Sequence, residues 1–124
     1  MFPFRPISSP VGSLILSVII VGLTGLLFII LGRMAATGRL PRNGFVGIRL
    51  PSTMRSDDAW MAGHRAASTS LTISGVGPVA LGVIAVATNR GRSGDTVLLV
   101  IGLVWILGWI ALGTVQANRA AKTA

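Results

Sequence analysis

The sequence contains little charge and no cysteine. Charged residues make up 11% of its 124 positions, against about 25% in an average soluble domain. Hydrophobic residues make up 52%, so the chain lacks the polar side chains needed to cover a water-soluble globule. The absence of cysteine excludes disulfides and thiolate metal sites. The length and composition predict a single lipid-facing domain over residues 1–124.

Acidic residues are also scarce. Asp57, Asp58 and Asp95 are the only three, and the net charge is +8. A basic chain can bind nucleic acid, but here the basic residues stand in short segments between apolar runs. That arrangement is typical of proteins that contact anionic lipid headgroups. We therefore expect anionic phospholipid headgroups as a partner and no nucleic acid.

The sequence lacks the residue sets on which enzymes and ion-coupled transporters depend. No ionisable residue lies inside an apolar run, and neither a Ser/His/Asp set nor a phosphate-binding glycine loop is present. Asp57, Asp58 and His64 could form a metal site, but two carboxylates in a first helical turn usually complement the helix dipole. The sequence therefore predicts no enzyme, no cofactor and no metal site.

Three apolar runs, at residues 11–33, 66–88 and 95–116, dominate the chain. About 20 helical residues cross the roughly 30 Å hydrocarbon core of a bilayer. The first run is longer than the apolar region of a signal peptide, so we interpret it as a retained span. The pattern predicts an all-α polytopic membrane protein with three transmembrane helices and a structured interfacial loop, residues 38–65, between the first two.

The second run is the least apolar, because it contains hydroxyl side chains, glycines such as Gly75 and Gly77, and Pro78. Small residues let neighbouring helices approach closely. We therefore expect this run to form the central packing helix.

The third run is preceded by a turn signal at residues 89–94, and Asp95 is placed to cap the helix that follows. Trp105 and Trp109 are four residues apart and hence lie on one helical face. Both fall in the middle of the span, so packing is expected rather than anchoring at the interface.

Basic residues are distributed unevenly between the two sides of such a three-span chain. The first loop and the C-terminus share one side and carry eight of them, whereas the N-terminus and the second loop carry three. The positive-inside rule then predicts a multi-pass protein of the bacterial cell membrane, with the N-terminus outside and the first loop and C-terminus in the cytoplasm. The eight are Arg33, Arg39, Arg42, Arg49, Arg55, Arg65, Arg119 and Lys122, and the three are Arg5, Arg90 and Arg92.

The first loop carries more local structure signals than a plain connection. Asn43 followed by glycine predicts a turn. Phe45, Val46, Ile48 and Leu50 are too apolar for a freely solvated segment, so we expect them to hold the loop at the membrane surface.

The end of the loop predicts a helix start. Ser56 is a good N-cap, and the two aspartates after it suit the positive end of a helix dipole. We expect a short helix there that leads into the second span. Trp60 would then lie at headgroup level, where an amphipathic ring is stable.

Nine residues of this loop follow a recognisable order: Asn43, Gly47, Ile48, Arg49, Pro51, Thr53, Asp57, Trp60 and His64. In this order the chain resembles the signature loop of the SdpI family, bacterial integral membrane proteins named for an immunity protein against a sporulation-delaying toxin. Leu50 stands where a threonine is common. The founding member protects the membrane from a secreted toxin and holds a transcriptional repressor at the membrane.

The resemblance implies a short, three-span SdpI-like protein that acts in immunity or signalling by binding one or more membrane or cytoplasmic proteins. The alternative is a small accessory subunit of a larger transport or envelope complex. The nine signature residues are the candidate interaction site.

Arg49 is the signature residue on which the function hypothesis depends. Its planar guanidinium suits bidentate contact with a phosphate or a carboxylate, although it could also serve only as a topology charge. His64 could sense protons or be an ordinary polar residue at a helix start. Four other arginines in or near the loop are expected to be topology charges: Arg33, Arg39, Arg42 and Arg55.

Overall fold

A computed structural model of the chain describes residues 10–88 and 91–124. Over these ranges the chain forms three long helices, α1 (Pro10–Ala36), α2 (Asp57–Thr88) and α3 (Gly91–Lys122). A short 3-10 helix, Thr53–Arg55, lies in the first loop. No strand occurs in these two ranges, and the predicted all-α fold is confirmed.

Each helix contains a segment that is long and apolar enough to cross a membrane: Ile15–Ala36, Asp57–Thr88 and Thr96–Lys122. On α1, large aliphatic side chains such as Leu23 (62% exposed) point away from the protein. Apolar surface in water costs roughly 25 cal/mol per Å², and a hydrocarbon solvent removes that cost. The exposed faces are therefore surfaces that suit lipid.

Helix α2 is central, because it packs extensively on both α1 and α3 while those two barely touch each other. Towards α1, a Cβ on Gly25 would lie 2.6 Å from the Gly75 carbonyl oxygen, and a Cβ on Gly75 would lie 2.8 Å from the Ile29 nitrogen. Towards α3, Gly77 lies directly against the ring of Trp105. Small residues thus bring both neighbours close to α2, and its predicted role as the packing helix is confirmed.

The two tryptophans of α3 pack rather than anchor, as predicted. The indole N–H of Trp105 donates to the Ile73 carbonyl at 2.9 Å, and its ring lies 5.8 Å from that of Trp109. A polar N–H in the middle of a span needs such an acceptor, because lipid offers none.

The start of α2 differs in part from the prediction. Ser56 caps the helix as expected, since its Oγ accepts the Ala59 N–H at 3.0 Å. However, α2 runs from Asp57 to Thr88 without a break, so there is no separate short helix. The predicted loop of residues 38–65 is shorter, because residues 57–65 are already helical.

The start of α3 also differs. The helix begins at Gly91, so Asp95 lies inside it, and the predicted cap at that position is wrong. Asn89 and Arg90, the first two residues of the predicted turn, lie outside the described residues.

Candidate functional site

The first loop starts with a tight reversal at the end of α1. Gly38 has a φ of +71°, a conformation that glycine adopts at little cost. The Arg39 N–H donates to the Met34 carbonyl at 2.9 Å, and the Thr37 N–H donates to Arg33 at 3.1 Å. This is a Schellman-type helix end. It turns the chain back over α2.

Trp60, the fourth residue of α2, is fully buried beneath the loop. Its indole N–H donates to the Leu40 carbonyl at 2.8 Å, and its ring stacks on His64 with centroids 4.0 Å apart. Trp60 is therefore not exposed to lipid headgroups as the prediction would require. The ring is covered by the protein's own loop, which provides both the apolar contact and the acceptor.

His64 engages both ring nitrogens, one with the loop and one with its own helix, α2. Its Nε2 accepts the Ile48 N–H at 2.9 Å, so that nitrogen carries no proton. Its Nδ1 lies 2.9 Å from the Trp60 carbonyl and donates to it in the neutral tautomer that the other bond requires. Buried His64 thus links the loop backbone to α2, which an ordinary polar residue at a helix start would not do.

Gly47 is required by both space and backbone conformation. Its φ of +112° is unfavourable for residues with a Cβ. A Cβ there would lie 2.7 Å from His64 Nε2 and 3.0 Å from the Trp60 ring. The glycine lets the loop backbone lie directly on this stacked pair.

Thr53 closes the loop from the other side. Its buried hydroxyl accepts the Leu50 N–H at 2.9 Å and donates to the Ile48 carbonyl at 2.7 Å. Pro51 lies exposed in the intervening turn, which the Met54 N–H closes by donating to the Leu50 carbonyl at 2.9 Å. We call Gly47, Ile48, Thr53, Trp60 and His64 the loop core.

The side chain of Ile48 places the loop between the ends of the helices. It packs in one cluster with Ala35 of α1, Ala67 and Leu71 of α2 and Ala117 of α3. Leu50 packs against this cluster and is partly buried. Since α1 and α3 barely touch, the loop fills the gap between them.

Residues 43–46 form a turn that we call the loop tip. Asn43 holds it internally, because its Oδ1 accepts the N–H groups of Phe45 (2.8 Å) and Val46 (2.7 Å). Its Nδ2 donates to the carbonyls of Pro41 (2.8 Å) and Val46 (3.1 Å). The turn predicted from Asn43 and Gly44 is confirmed.

Arg49 is exposed and reaches back to the loop tip, where its Nη1 donates to the Gly44 carbonyl. The guanidinium has five N–H donors, so this bond leaves donors free for an anion. The apolar loop residues divide into two groups. Ile48 and Leu50 pack inward, whereas Phe45 is 92% exposed and Val46 40% exposed.

Arg42 and Asp57 form an ion pair at the base of the loop tip, with 3.1 Å between Arg42 Nε and Asp57 Oδ1. Arg42 also donates to the Met54 carbonyl at 2.9 Å. Both ionic side chains are substantially exposed, so the pair contributes only about 0.2–1 kcal/mol. Arg42 is nevertheless more than the free topology charge that the sequence suggests.

Sequence reasoning missed the contacts between the loop and the end of α3. Arg55 donates to the Ala121 carbonyl at 2.7 Å, where a cation also complements the helix dipole. The Ser52 hydroxyl donates to Asn118 Oδ1 at 2.6 Å. The partners in each bond are 66 residues apart in the chain, so no local sequence pattern predicts these contacts.

Asp57 and His64, at the start of α2, serve different neighbours. Asp57 pairs with Arg42, and His64 has both nitrogens engaged within the loop core. In the part of the chain that the structure describes, no group of three metal-ligating side chains comes together. The arrangement is suited to binding through its surface, because its exposed groups include cations, an aromatic ring and turn backbone.

The fold and this site define a helical, polytopic membrane protein whose first loop is a folded unit. The model of the SdpI/YfhL protein family matches residues 39–114, more than half of the chain. The chain therefore belongs to the SdpI/YfhL family, as its loop predicts, and the match contains all nine signature residues. No curated protein and no solved structure matches the chain.

Proposed function

We propose that the protein is an SdpI-like docking protein of the cell membrane, which presents Arg49 to a protein partner in toxin immunity or signalling. The observation that carries this proposal is the contrast between the loop core and Arg49. Five signature residues are used to fix the loop backbone, while Arg49 is held at the surface with donors to spare. A topology charge needs no such support.

The helix contacts indicate how far the loop stands above the lipid. Gly32, next to Arg33 at the end of the first apolar run, lies against Thr72 of α2. Gln116, at the end of the third run, accepts a hydrogen bond from Ser70 at 2.6 Å. Both neighbours therefore leave the apolar zone at the same level of α2, and we place the hydrocarbon edge near residues 70–72.

From this edge α2 continues outward for thirteen residues to Asp57, or about 20 Å at 1.5 Å per residue. The headgroup layer is only about 5–8 Å thick on each side. The loop tip, paired with Asp57 through Arg42, thus stands at or beyond the outer edge of the headgroups. That height suits contact with a protein from the aqueous side.

The cations at this end divide into two groups by height. Arg33 and Arg119 lie within a few residues of the proposed edge, where each cation contributes about 1 kcal/mol to attraction by anionic lipid. We propose anionic phospholipid headgroups as their partners. Arg49 stands further from the hydrocarbon edge and remains available to the protein partner.

Arg49→Lys tests the proposal. We expect this variant to lose the partner in a gentle-detergent pull-down read by mass spectrometry, because an ammonium group cannot reproduce a bidentate guanidinium contact. Losing one charge-assisted bond of about 1.5–3 kcal/mol corresponds to a roughly tenfold to hundredfold loss of affinity.

Arg39→Lys is the matched control, since the Arg39 side chain is exposed and makes no hydrogen bond or ion pair within the described residues. Arg42 is unsuitable, because its lysine variant would also disturb Asp57 and Met54. Equal partner recovery from the two lysine variants would reduce Arg49 to a topology charge. The accessory-subunit hypothesis would then be favoured.

A second prediction concerns orientation. The eight cations at the loop end lead us to propose that this end is cytoplasmic. Reporter fusions after Gly38 and after Ala124 should both give a cytoplasmic signal, and a fusion after Gly91 an external one. An external signal from the Gly38 fusion would reverse the orientation and with it the side on which the partner is sought.

A further inference from the structure

Phe45 has the highest exposure among the large apolar side chains of the described residues, at 92%. Val83, the next, is 65% exposed, but it lies on the part of α2 that we place in the hydrocarbon. Phe45 instead stands on a loop between two exposed arginines, Arg42 and Arg49. Isolated apolar side chains on a protein surface are common. Whether Phe45 has a role therefore depends on how firmly its backbone is held and on how far it stands above the hydrocarbon edge.

Hydrogen bonds hold the backbone around Phe45 from both sides. The backbone N–H of Phe45 itself donates to Asn43 Oδ1 at 2.8 Å, and that of Val46 donates to the same oxygen at 2.7 Å. On the other side Arg49 bonds the Gly44 carbonyl, one residue before Phe45. A partner that binds here meets a turn already in place, which reduces the ordering cost of association.

The distance of Phe45 from the proposed hydrocarbon edge argues against lipid as its binding partner. In the sequence, Phe45 falls between Arg42, which pairs with Asp57, and Gly47, which lies on His64. On α2 these two levels are about 20 Å and about 9 Å above the proposed hydrocarbon edge. Both exceed the roughly 5–8 Å of the headgroup layer.

The charge around the tip indicates what kind of protein would bind. The described residues at this end of the bundle carry eight exposed cations against two carboxylates. A second copy of the chain would bring the same positive surface and be repelled. A partner with negative charge is complementary, and arginine and aromatic side chains are frequent anchors of binding energy.

We infer that Phe45 and Arg49 form one docking surface for a protein that offers an apolar pocket rimmed by carboxylates. The inference rests on the proposed function, because it gives the partner of the same loop its chemistry. Phe45 enters the pocket, and the guanidinium beside it, anchored on Gly44, binds a carboxylate at the rim.

The test replaces Phe45 with the photoreactive analogue p-benzoylphenylalanine in the full chain, in living cells. The substitution preserves the aromatic ring and leaves the loop core untouched. After irradiation we expect a protein adduct whose cross-linked segment lies beside aspartate or glutamate residues. The adduct should fall at least about tenfold in an Arg49→Gln background, as expected for the loss of an anchor residue. The same reporter at Val83 should yield lipid adducts only.

Each contrary result has a separate meaning. Lipid adducts alone at position 45 would show that the tip lies in the interface, and the docking surface would be lost. No adduct at position 45, with partner recovery by the parent chain intact, would overturn this surface but leave the proposed function standing. A protein adduct that is unaffected by Arg49→Gln, or that lies far from any acidic residue, would overturn the carboxylate-rimmed pocket. Absence of any partner in the parent pull-down would remove both proposals.

Discussion

Trp60→Ala is expected to release the first loop from α2 while the helices stay in the membrane. The substitution removes a fully buried ring, its hydrogen bond to Leu40 and its stacking on His64. Truncation of a buried tryptophan costs about 3–5 kcal/mol. Trypsin reports the effect directly, because the loop contains exposed arginines such as Arg39 and Arg49. When cleavage follows the population of the open form, about 3 kcal/mol raises its rate on the order of a hundredfold.

Trp109→Ala is the matched control for the trypsin experiment. It removes the same side chain from α3, where Trp109 is only half-buried and contacts Trp105 rather than the loop. Cleavage in the loop should stay at the parent rate. Trp60→Phe should fall between the two, since it keeps most of the ring but loses the bond to Leu40. A Trp60→Ala protein as resistant to trypsin as the parent would show that the loop does not depend on the loop core.

The parts of the site that could be predicted are those determined by neighbours in the sequence. The Asn43 turn depends on side-chain bonds to residues two and three positions away, and the Ser56 cap acts three residues on. Such motifs have local signatures. The apolar runs likewise predict the helices, because their length and composition are sufficient for that inference.

The roles of Trp60 and His64 could not be predicted, because they depend on where the loop folds back. Trp60 bonds a carbonyl 20 residues away and His64 an amide 16 residues away. An aromatic ring near the end of a span suits both a lipid interface and a protein cover. Only the path of the chain from Gly38 onward decides between them.

The sequence predicts the helix start at Ser56 but not that this helix continues unbroken into the second span. Hydropathy finds the part of a helix that lies in lipid, and residues 57–65 are too polar to belong to it. They are nevertheless helical, since the loop and the end of α3 cover them. In the proposed function these extra helical residues of α2 are important, because they raise the loop tip above the headgroups.

Gly75→Leu is expected to separate α1 from α2 and to destabilise the whole bundle. Even a Cβ at this position would lie 2.8 Å from the Ile29 nitrogen and would press on the Gly25 carbonyl. Backbone atoms cannot move aside as a flexible side chain can, so the two helices must move apart. Overpacking typically costs about 1–3 kcal/mol, and this contact with backbone belongs at the upper end. The measurement is the thermal midpoint of the purified protein in detergent, together with the yield from membranes. Gly77→Leu should act in the same way on α3, because Gly77 lies against the Trp105 ring.

Gly82→Leu provides the control for this prediction. It makes the same change two helical turns along α2, on the same face as Gly75, but a Cβ there meets no atom within 4 Å. The position borders an apolar cavity between α1 and α3, with Val21 and Leu98 among its other walls, so a leucine has space and gains apolar contact. The control should therefore melt at or near the parent temperature. If Gly75→Leu has the same thermal midpoint as Gly82→Leu, the close glycine contact does not hold α1 on α2. The apolar cluster around Ile48 would then have to account for the packing of α1 on the bundle.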